Sequence, residues 1–589
     1  MLEQRNLILA IALSVAIIVG FEMFSPKPVP TPQQVAQQTA GQSIAPAPVS
    51  GGSVPVVGTV APGSVPTPGG VNIPGANTAI ARADVVGKSP RIHFDNDRIH
   101  GSISLVGGRI DDLTLNSYRE TVDPESPQII VLSPAGSAKP YYADFGWTTG
   151  PGVNVKVPTP QTVWQSNRTS LMQDAPVTLS WDNGEGMTFK RRIELDEHFV
   201  FTVTDHVENR TGEAVTLFPY GLVSRTGLPE TTGFYILHEG ALGVFDETLK
   251  EVDYDEMQEE ARIPVTSTGG WIGITDKYWL AALIPDQKAK IDASFSHFLA
   301  NNEDRFQVDY LHAGQTVAAN GSAEVVNRLF AGAKEVHVLD AYETRYNIKR
   351  FDLAVDFGWF YFLTKPFFYA IDWFYKLLGN FGLAILALTV CVRIVFFPLA
   401  NKSFKAMGAM KRLQPEMAKL RERYGDDRTK LNQAMMELYK KEKANPMAGC
   451  LPIMLQIPVF FALYKVLFVS IEMRHAPFYG WINDLSAQDP TSIVNLFGLI
   501  PWTPPEYIPA LGVWPIIMGI TMFLQQKLNP QPADPMQAKI FMFLPFVFTF
   551  MLASFPAGLV IYWSWNNTLS MAQQWIIMKR AGVKPGGKA

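Results

Sequence analysis

Long apolar runs stand near the two ends of the chain, and short alternating ones fill its middle. The long runs are Leu7–Phe24, Phe381–Ala400, Met447–Ile471, Val513–Gln526, Ile540–Phe555 and Leu559–Met578. A bilayer core roughly 30 Å thick takes about 20 apolar helical residues; the longer runs meet this, and the shorter Val513–Gln526 and Ile540–Phe555 are read as membrane helices with them. Between them the period changes to two. Ile99, Ile103 and Leu105 alternate with polar positions, as do Val177, Leu179 and Trp181, and Phe199, Phe201 and Val203. Asp182-Asn183-Gly184 and Asn209-Arg210-Thr211-Gly212 are turn sequences between such runs, so residues 82–346 predict a large β-sandwich. Leu353, Phe357 and Phe360 share a helical face, which predicts an amphipathic helix at the outer interface, broken by Pro366 before the next span. A longer tilted span is the other reading of that stretch. Leu413, Met417, Leu420 and Tyr424, then Leu431, Met435 and Leu438, predict two helices, with Gly425 ending the first and Asp426 capping the second.

The pattern divides the chain into an amino-terminal transmembrane anchor (1–24), a linker (25–81), the β-sandwich (82–346) and an interfacial aromatic segment (347–380). A second transmembrane helix (381–400), a helical hairpin (401–445), transmembrane helices three to six (446–578) and a tail (579–589) follow. Glu22 and Phe24 at the exit of the first run, with no A-x-A site close behind, favour a retained anchor over a cleaved secretory signal. The linker is rich in Pro, Gly and Gln with Lys27 its only charge, the composition of a disordered tether.

Charge then orients the helices. Lys402–Lys443 holds 12 Lys/Arg against 6 Asp/Glu, and the tail carries Lys579, Arg580, Lys584 and Lys588 without an acid. Both belong on the cytoplasmic side by the positive-inside bias, which places the β-sandwich in the periplasm and both termini inside. The basic hairpin reads equally as a solvated pair that fixes topology or as a docking surface for a ribosome, an incoming chain or anionic lipid. A formal charge of −4 gives no sign of direct nucleic-acid recognition. Cys391 and Cys450 lie in or beside apolar runs and read as reduced packing residues. No cofactor or metal is expected, because the sequence holds no phosphate loop, nucleophile motif or Cys/His cluster. His93, His100, His198 and His206 read as scattered surface or structural residues.

The chemistry of interest lies in the membrane runs. Arg393 stands well inside Phe381–Ala400, where a charge costs roughly 2.5–3.5 kcal/mol on insertion scales. Thr389 lies one turn before it. Thr521 and Gln525 are four apart; Trp563, Asn567, Ser570 and Gln574 form a stripe; Gln456 sits between Pro452 and Pro458. Polar faces on several helices imply a shared wet cavity. Interhelical hydrogen bonds, worth ~0.6 kcal/mol each, are the other reading of the Thr and Gln residues, and snorkelling is the other reading of the arginine. No acidic residue occurs in the last five runs to pair with Arg393. Lys465, near an outer end, reads as snorkelling.

The stretches GNFGLAILALTVCVRIVFFPL, MKRLQPEMAKLRERYGDD, NPMAGCLPIMLQIPVFFALY, DPMQAKIFMFLPFVFTF and FPAGLVIYWSWNN resemble the Oxa/YidC/Alb family of membrane insertases, in its Gram-negative form with a large periplasmic domain. The resemblance covers much of the last 210 residues and, more loosely, the segments before them. It implies a multi-domain membrane protein with six transmembrane α-helices: a five-helix insertase core plus the amino-terminal anchor, a periplasmic β-sandwich and the cytoplasmic helical hairpin. It implies a hydrophilic groove with Arg393 as its arginine and Thr389 beside it, and substrate contacts from Tyr562 and Trp563, where the family form carries tyrosine at the latter position. With Gln456, Thr521, Gln525 and Asn567 these are the expected groove residues. The implied function is insertion, folding and assembly of inner-membrane proteins, and the absence of a nucleotide motif in the sequence predicts that the chain itself hydrolyses nothing. The implied partners are nascent membrane proteins, ribosomes carrying them, the Sec translocon with SecDF, and lipid. A secondary transporter or channel for an anionic solute is the alternative, and a carbohydrate-binding β domain on an anchor is a third. Thr491–Pro509 looks like an insertion without an assigned role.

Overall fold

The computed structural model describes residues 81–231, 233, 236–300, 302–358, 360–425, 427–442, 451–500, 511–528 and 535–580. The expected anchor and nearly all of the linker lie outside them, as do Cys450, residues 501–509 of the insertion and the end of the basic tail. All described residues belong to one compact unit.

The alternating segments form two sheets. The first, of 11 strands, runs in the order Arg262–Thr268, Lys290–Ala300, Glu303–His312, Val215–Thr226, Tyr141–Thr149, Ile110–Arg119, Ile99–Ser104, Arg91–Asp95 and Ser170–Leu171, with Gln315–Val317 and Gln128–Leu132 paired at its side. The second, of 9 strands, runs Thr248–Val252, Gly240–Phe245, Trp271–Thr275, Trp279–Ile284, Ser322–Ala333, Val200–Asn209, Met187–Leu195, Val177–Asp182 and Gln165–Ser166. Phe94 meets Phe201 edge to face at 5.2 Å, and Phe245 meets Phe295 at 5.9 Å, so the inward residues of the two sheets share one core. The Asp182-Asn183-Gly184 turn forms as its residues require. Gly184 takes φ +73°, and Asn183 Oδ1 accepts the Glu185 and Met187 amides at 2.7 and 3.0 Å.

Helices α1 (Arg82–Val86), α2 (Tyr254–Glu260) and α3 (Val336–Tyr346) accompany the sandwich. The helical half follows: α4 (Tyr361–Leu378), α5 (Phe381–Val395), α6 (Phe397–Tyr424), α7 (Arg428–Lys441), α8 (Leu451–Val469), α9 (Val513–Leu528), α10 (Pro535–Met551) and α11 (Ala557–Arg580).

Several expectations are corrected here. Phe351–Ala354 is a buried 3-10 turn whose Phe351 packs on Trp271 at 5.4 Å, so the helix expected at the interface starts at Tyr361. Pro366 lies inside that helix near its start, where it removes a single backbone bond instead of ending it. Phe362, Tyr369, Trp373 and Leu377 are exposed along α4, opposite buried Thr364, Phe368 and Ile371. The expected helix 381–400 is broken at Phe396. Pro398 opens α6, and the two pieces are bent by 68°. Among the described residues no single helix is long and apolar enough to cross a membrane alone, although this bent pair passes together, so the count of six spans rests on the sequence. Asp427, not Asp426, caps α7, its side chain accepting the Lys430 amide at 3.0 Å. Cys391 is exposed instead of packed.

The hairpin forms through Leu413 and Met417 of α6 against Met435 and Leu438 of α7. Lys465 does not snorkel. Its ammonium bonds the Asp356 carboxylate at 2.7 Å and the Ile236 carbonyl, and so joins α8 to the sandwich side. Arg474 donates to the carbonyls of Arg119 at 2.5 Å and Glu120 at 3.1 Å across the same junction. Glu472 accepts the Val336 amide at 2.9 Å and so caps the start of α3.

Candidate functional site: a cavity beside Arg393

Arg393 sits in the last turn of α5, immediately before the bend at Phe396. Its guanidinium turns to α11, where Asn566 Oδ1 accepts from Nε at 2.9 Å and from Nη2 at 2.5 Å. Nη2 also donates to the Asn566 carbonyl at 3.2 Å and to Ser570 Oγ at 2.6 Å. All these acceptors are neutral, and among the described residues no carboxylate pairs with Arg393. Asn566 and Ser570 are one turn apart on α11, so a single helix face presents both.

A cavity of about 380 Å³ opens beside this cluster. Arg393, Gln456, Gln525, Tyr562, Trp563 and Asn567 all line it, so six of the expected residues are brought together. Gln456 Nε2 donates to the buried Tyr562 hydroxyl at 2.7 Å, tying α8 to α11. Asn567 Nδ2 donates to Thr521 Oγ1 at 3.2 Å, tying α11 to α9. Thr521 therefore supports the wall without lining it. Apolar residues complete the lining, with Phe460 at 4.6 Å and Phe548 at 6.4 Å from the Trp563 ring. Polar groups thus gather near Arg393, while aromatic rings from α8 and α10 close the rest.

Thr389 is placed otherwise. It is 2% exposed and its hydroxyl returns to the Ile385 carbonyl at 2.7 Å, so it packs inside the helix bundle and does not reach the cavity. Asn566 and Gln526 are cavity residues outside the sequence expectation, and Ser570 belongs to it only as part of a stripe. The pair Asn566-Asn567 was the available signal, but the choice between neighbours depends on helix phase. A second cavity, of about 360 Å³ and lined in part by Ser117, Arg119, Thr121, His475 and Asn483, lies at the sandwich junction and contains none of the expected residues.

Known proteins match along the whole chain. The family described as the YidC periplasmic domain matches residues 91–370, and the family described as 60Kd inner membrane protein matches residues 373–584. Membrane protein insertase YidC of Methylorubrum extorquens (strain PA1) is 52% identical, across 99% of this chain and 96% of that protein. The protein of the same name from Rhizobium meliloti (strain 1021) is 51% identical, across 99% and 96%. Among solved structures, one titled as an active YidC insertase with its first transmembrane domain resolved is 18% identical, covering 82% of this chain and 92% of that one, with a TM-score of 0.34. By identity carried from end to end, the chain belongs to the YidC family of membrane protein insertases, bacterial inner-membrane proteins with a periplasmic domain.

Proposed function

We propose that the chain inserts integral membrane proteins into the inner membrane by receiving the polar segment of an incoming chain in the Arg393 cavity. The observation that carries this reading is a guanidinium that, among the described residues, is held by neutral oxygens alone, at the polar end of an open and otherwise largely apolar cavity. Removing a charge from water is costly, and a neutral amide and hydroxyl offset that cost without neutralising it. An acidic residue entering the cavity gains an attraction of about 4 kcal/mol at 4 Å for an effective dielectric near 20. Asn566 and Ser570 yield their bonds to it and take them back when it leaves. The apolar helix of the substrate meanwhile moves along the exposed side of α10, where Phe543, Phe546 and Phe550 face outward, and its burial in lipid drives the step. Nothing in this sequence of events requires nucleotide hydrolysis by the chain.

The topology follows from charge. Six spans, with both termini and the α6–α7 hairpin in the cytoplasm and the sandwich in the periplasm, satisfy the positive-inside bias. The basic hairpin is then the surface that meets ribosomes carrying nascent chains, and the Sec translocon with SecDF is the partner assembly for larger substrates. A photoreactive amino acid at Gln525 or Trp563, with Leu299 on the sandwich as control, tests the reading. Stalled membrane-protein nascent chains should crosslink from the first two positions and not from the third. Absence of those adducts, together with uptake of an anionic solute into proteoliposomes, would favour a transporter instead.

A further inference from the structure

The segment between Asp489 and α9 has no place in the cavity, yet its construction is specific. Asp489 is 2% exposed and accepts the Trp481 indole N–H at 3.1 Å, the Thr491 amide at 3.0 Å and hydroxyl at 2.6 Å, and the Trp514 amide at 2.9 Å. Thr491 Oγ1 accepts the Val513 amide at 3.0 Å. The base of the loop is thus fixed to the first residues of α9. Above it Ile493, Val494, Leu496, Phe497, Leu499 and Ile500 all project outward, Leu499 with 83% of its surface exposed. No ionisable residue occurs between Asp489 and Glu506.

The backbone points the other way. The amides of Ile493, Val494, Phe497, Leu499 and Ile500 bond to Leu511 O, Ser492 Oγ, Ser492 O, Leu496 O and Asn495 O. Leu496 and Phe497 take positive φ, +49° and +58°, to achieve this. Five of the eight amides of residues 493–500 are thus paired within the protein beneath outward apolar side chains, and pairing of the backbone is what hydrocarbon requires, where no water serves it. The level of the loop also fits. Phe478 packs between the start of α5 at Gly382 and Trp514 of α9, 6.3 Å from its ring, and Tyr479 and Trp481 beside it are exposed as interfacial aromatics are.

We propose that residues 493–500 insert as an apolar crown into the acyl chains of the outer leaflet and fix α9 against it. This rests on the membrane topology proposed above. The test uses full-length protein with Cys391 and Cys450 replaced by alanine, carrying one environment-sensitive fluorophore through Leu499→Cys, Phe543→Cys or Leu299→Cys, in liposomes with spin-labelled lipids. The Leu499 label should lose fluorescence, more to a spin label near the headgroup than to one near the chain end. Phe543 on α10 should be quenched and Leu299 should not. An unquenched Leu499 label beside a quenched Phe543 label overturns the crown and leaves the topology standing, whether the loop is in water or covered by protein. If neither is quenched, both the crown and the membrane reading fall.

Discussion

Glu472→Gln is the most informative perturbation of the junction between sandwich and helices. Glu472 lies just beyond the end of α8 at Val469, with Oε1 on the Val336 amide at 2.9 Å and Oε2 buried without a hydrogen-bond partner among the described residues. Burial, with Glu335 and Asp372 nearby, pushes its carboxyl up to about 7 from an ordinary 4.5, against the two backbone bonds that favour the charged form. Between these two values the folded carboxyl holds its proton while the unfolded one has lost it. Its contribution to stability is therefore complete below pH 4.5 and lost as pH rises through 7. Each tenfold in proton affinity is about 1.4 kcal/mol, so the loss across the window is roughly 3 kcal/mol. Glutamine keeps the oxygen that caps α3 and cannot ionise. The assay is hydrogen exchange of the α3 amides in detergent-solubilised protein, with both forms compared at each pH so that intrinsic exchange cancels. Protection of wild type relative to Glu472→Gln should fall steadily from pH 4.5 to 7.5. Parallel profiles across that range would refute the buried-carboxyl reasoning.

Two further predictions concern the frame around the cavity. Lys465→Met leaves Asp356 half-buried without its cation and should destabilise the docking of α8 on the sandwich by about 2 kcal/mol, with most of the loss absent when Asp356→Asn is present in a double-mutant cycle read by thermal unfolding. Gly519→Val should separate α9 from α10, because a Cβ at Gly519 would stand 2.1 Å from Thr549 Oγ1; overpacking of about 1–3 kcal/mol should appear as a lowered Tm, and an unchanged Tm would contradict it.

Much of the fold follows from local pattern. Phe199, Phe201 and Val203 are each fully buried, as period two requires of one sheet face. What local pattern does not carry is pairing. Val200 lies opposite Phe330, and nothing near either residue announces the other. In the membrane half the arginine was legible because its cost demands a reason, whereas its acceptor was not. Asn566 and Asn567 differ by about 100° around α11, and only packing on α5 and α9 decides that the first meets Arg393 and the second Thr521. Thr389 shared a face with Arg393 by spacing, yet the hydroxyl found the Ile385 carbonyl in its own helix and needed no cavity. The partner of Lys465 is not legible locally, because Asp356 stands in a segment whose apolar spacing predicts a helix, whereas the chain is extended after the buried turn at Phe351.

Insertion by purified full-length protein in liposomes, followed for paired substrates that differ only in whether the translocated tail is acidic or neutral, measures most directly whether the Arg393 charge does the work. Arg393→Lys should retain most insertion of the acidic-tailed substrate, because positive charge is kept beside Asn566 and Ser570. Arg393→Ala, reconstituted at equal abundance, should slow that substrate about tenfold or more, a loss of at least 1.4 kcal/mol from the attraction, and spare the neutral-tailed one. Correctly folded Arg393→Ala inserting both substrates at the wild-type rate would contradict a charge mechanism and return the arginine to a packing role.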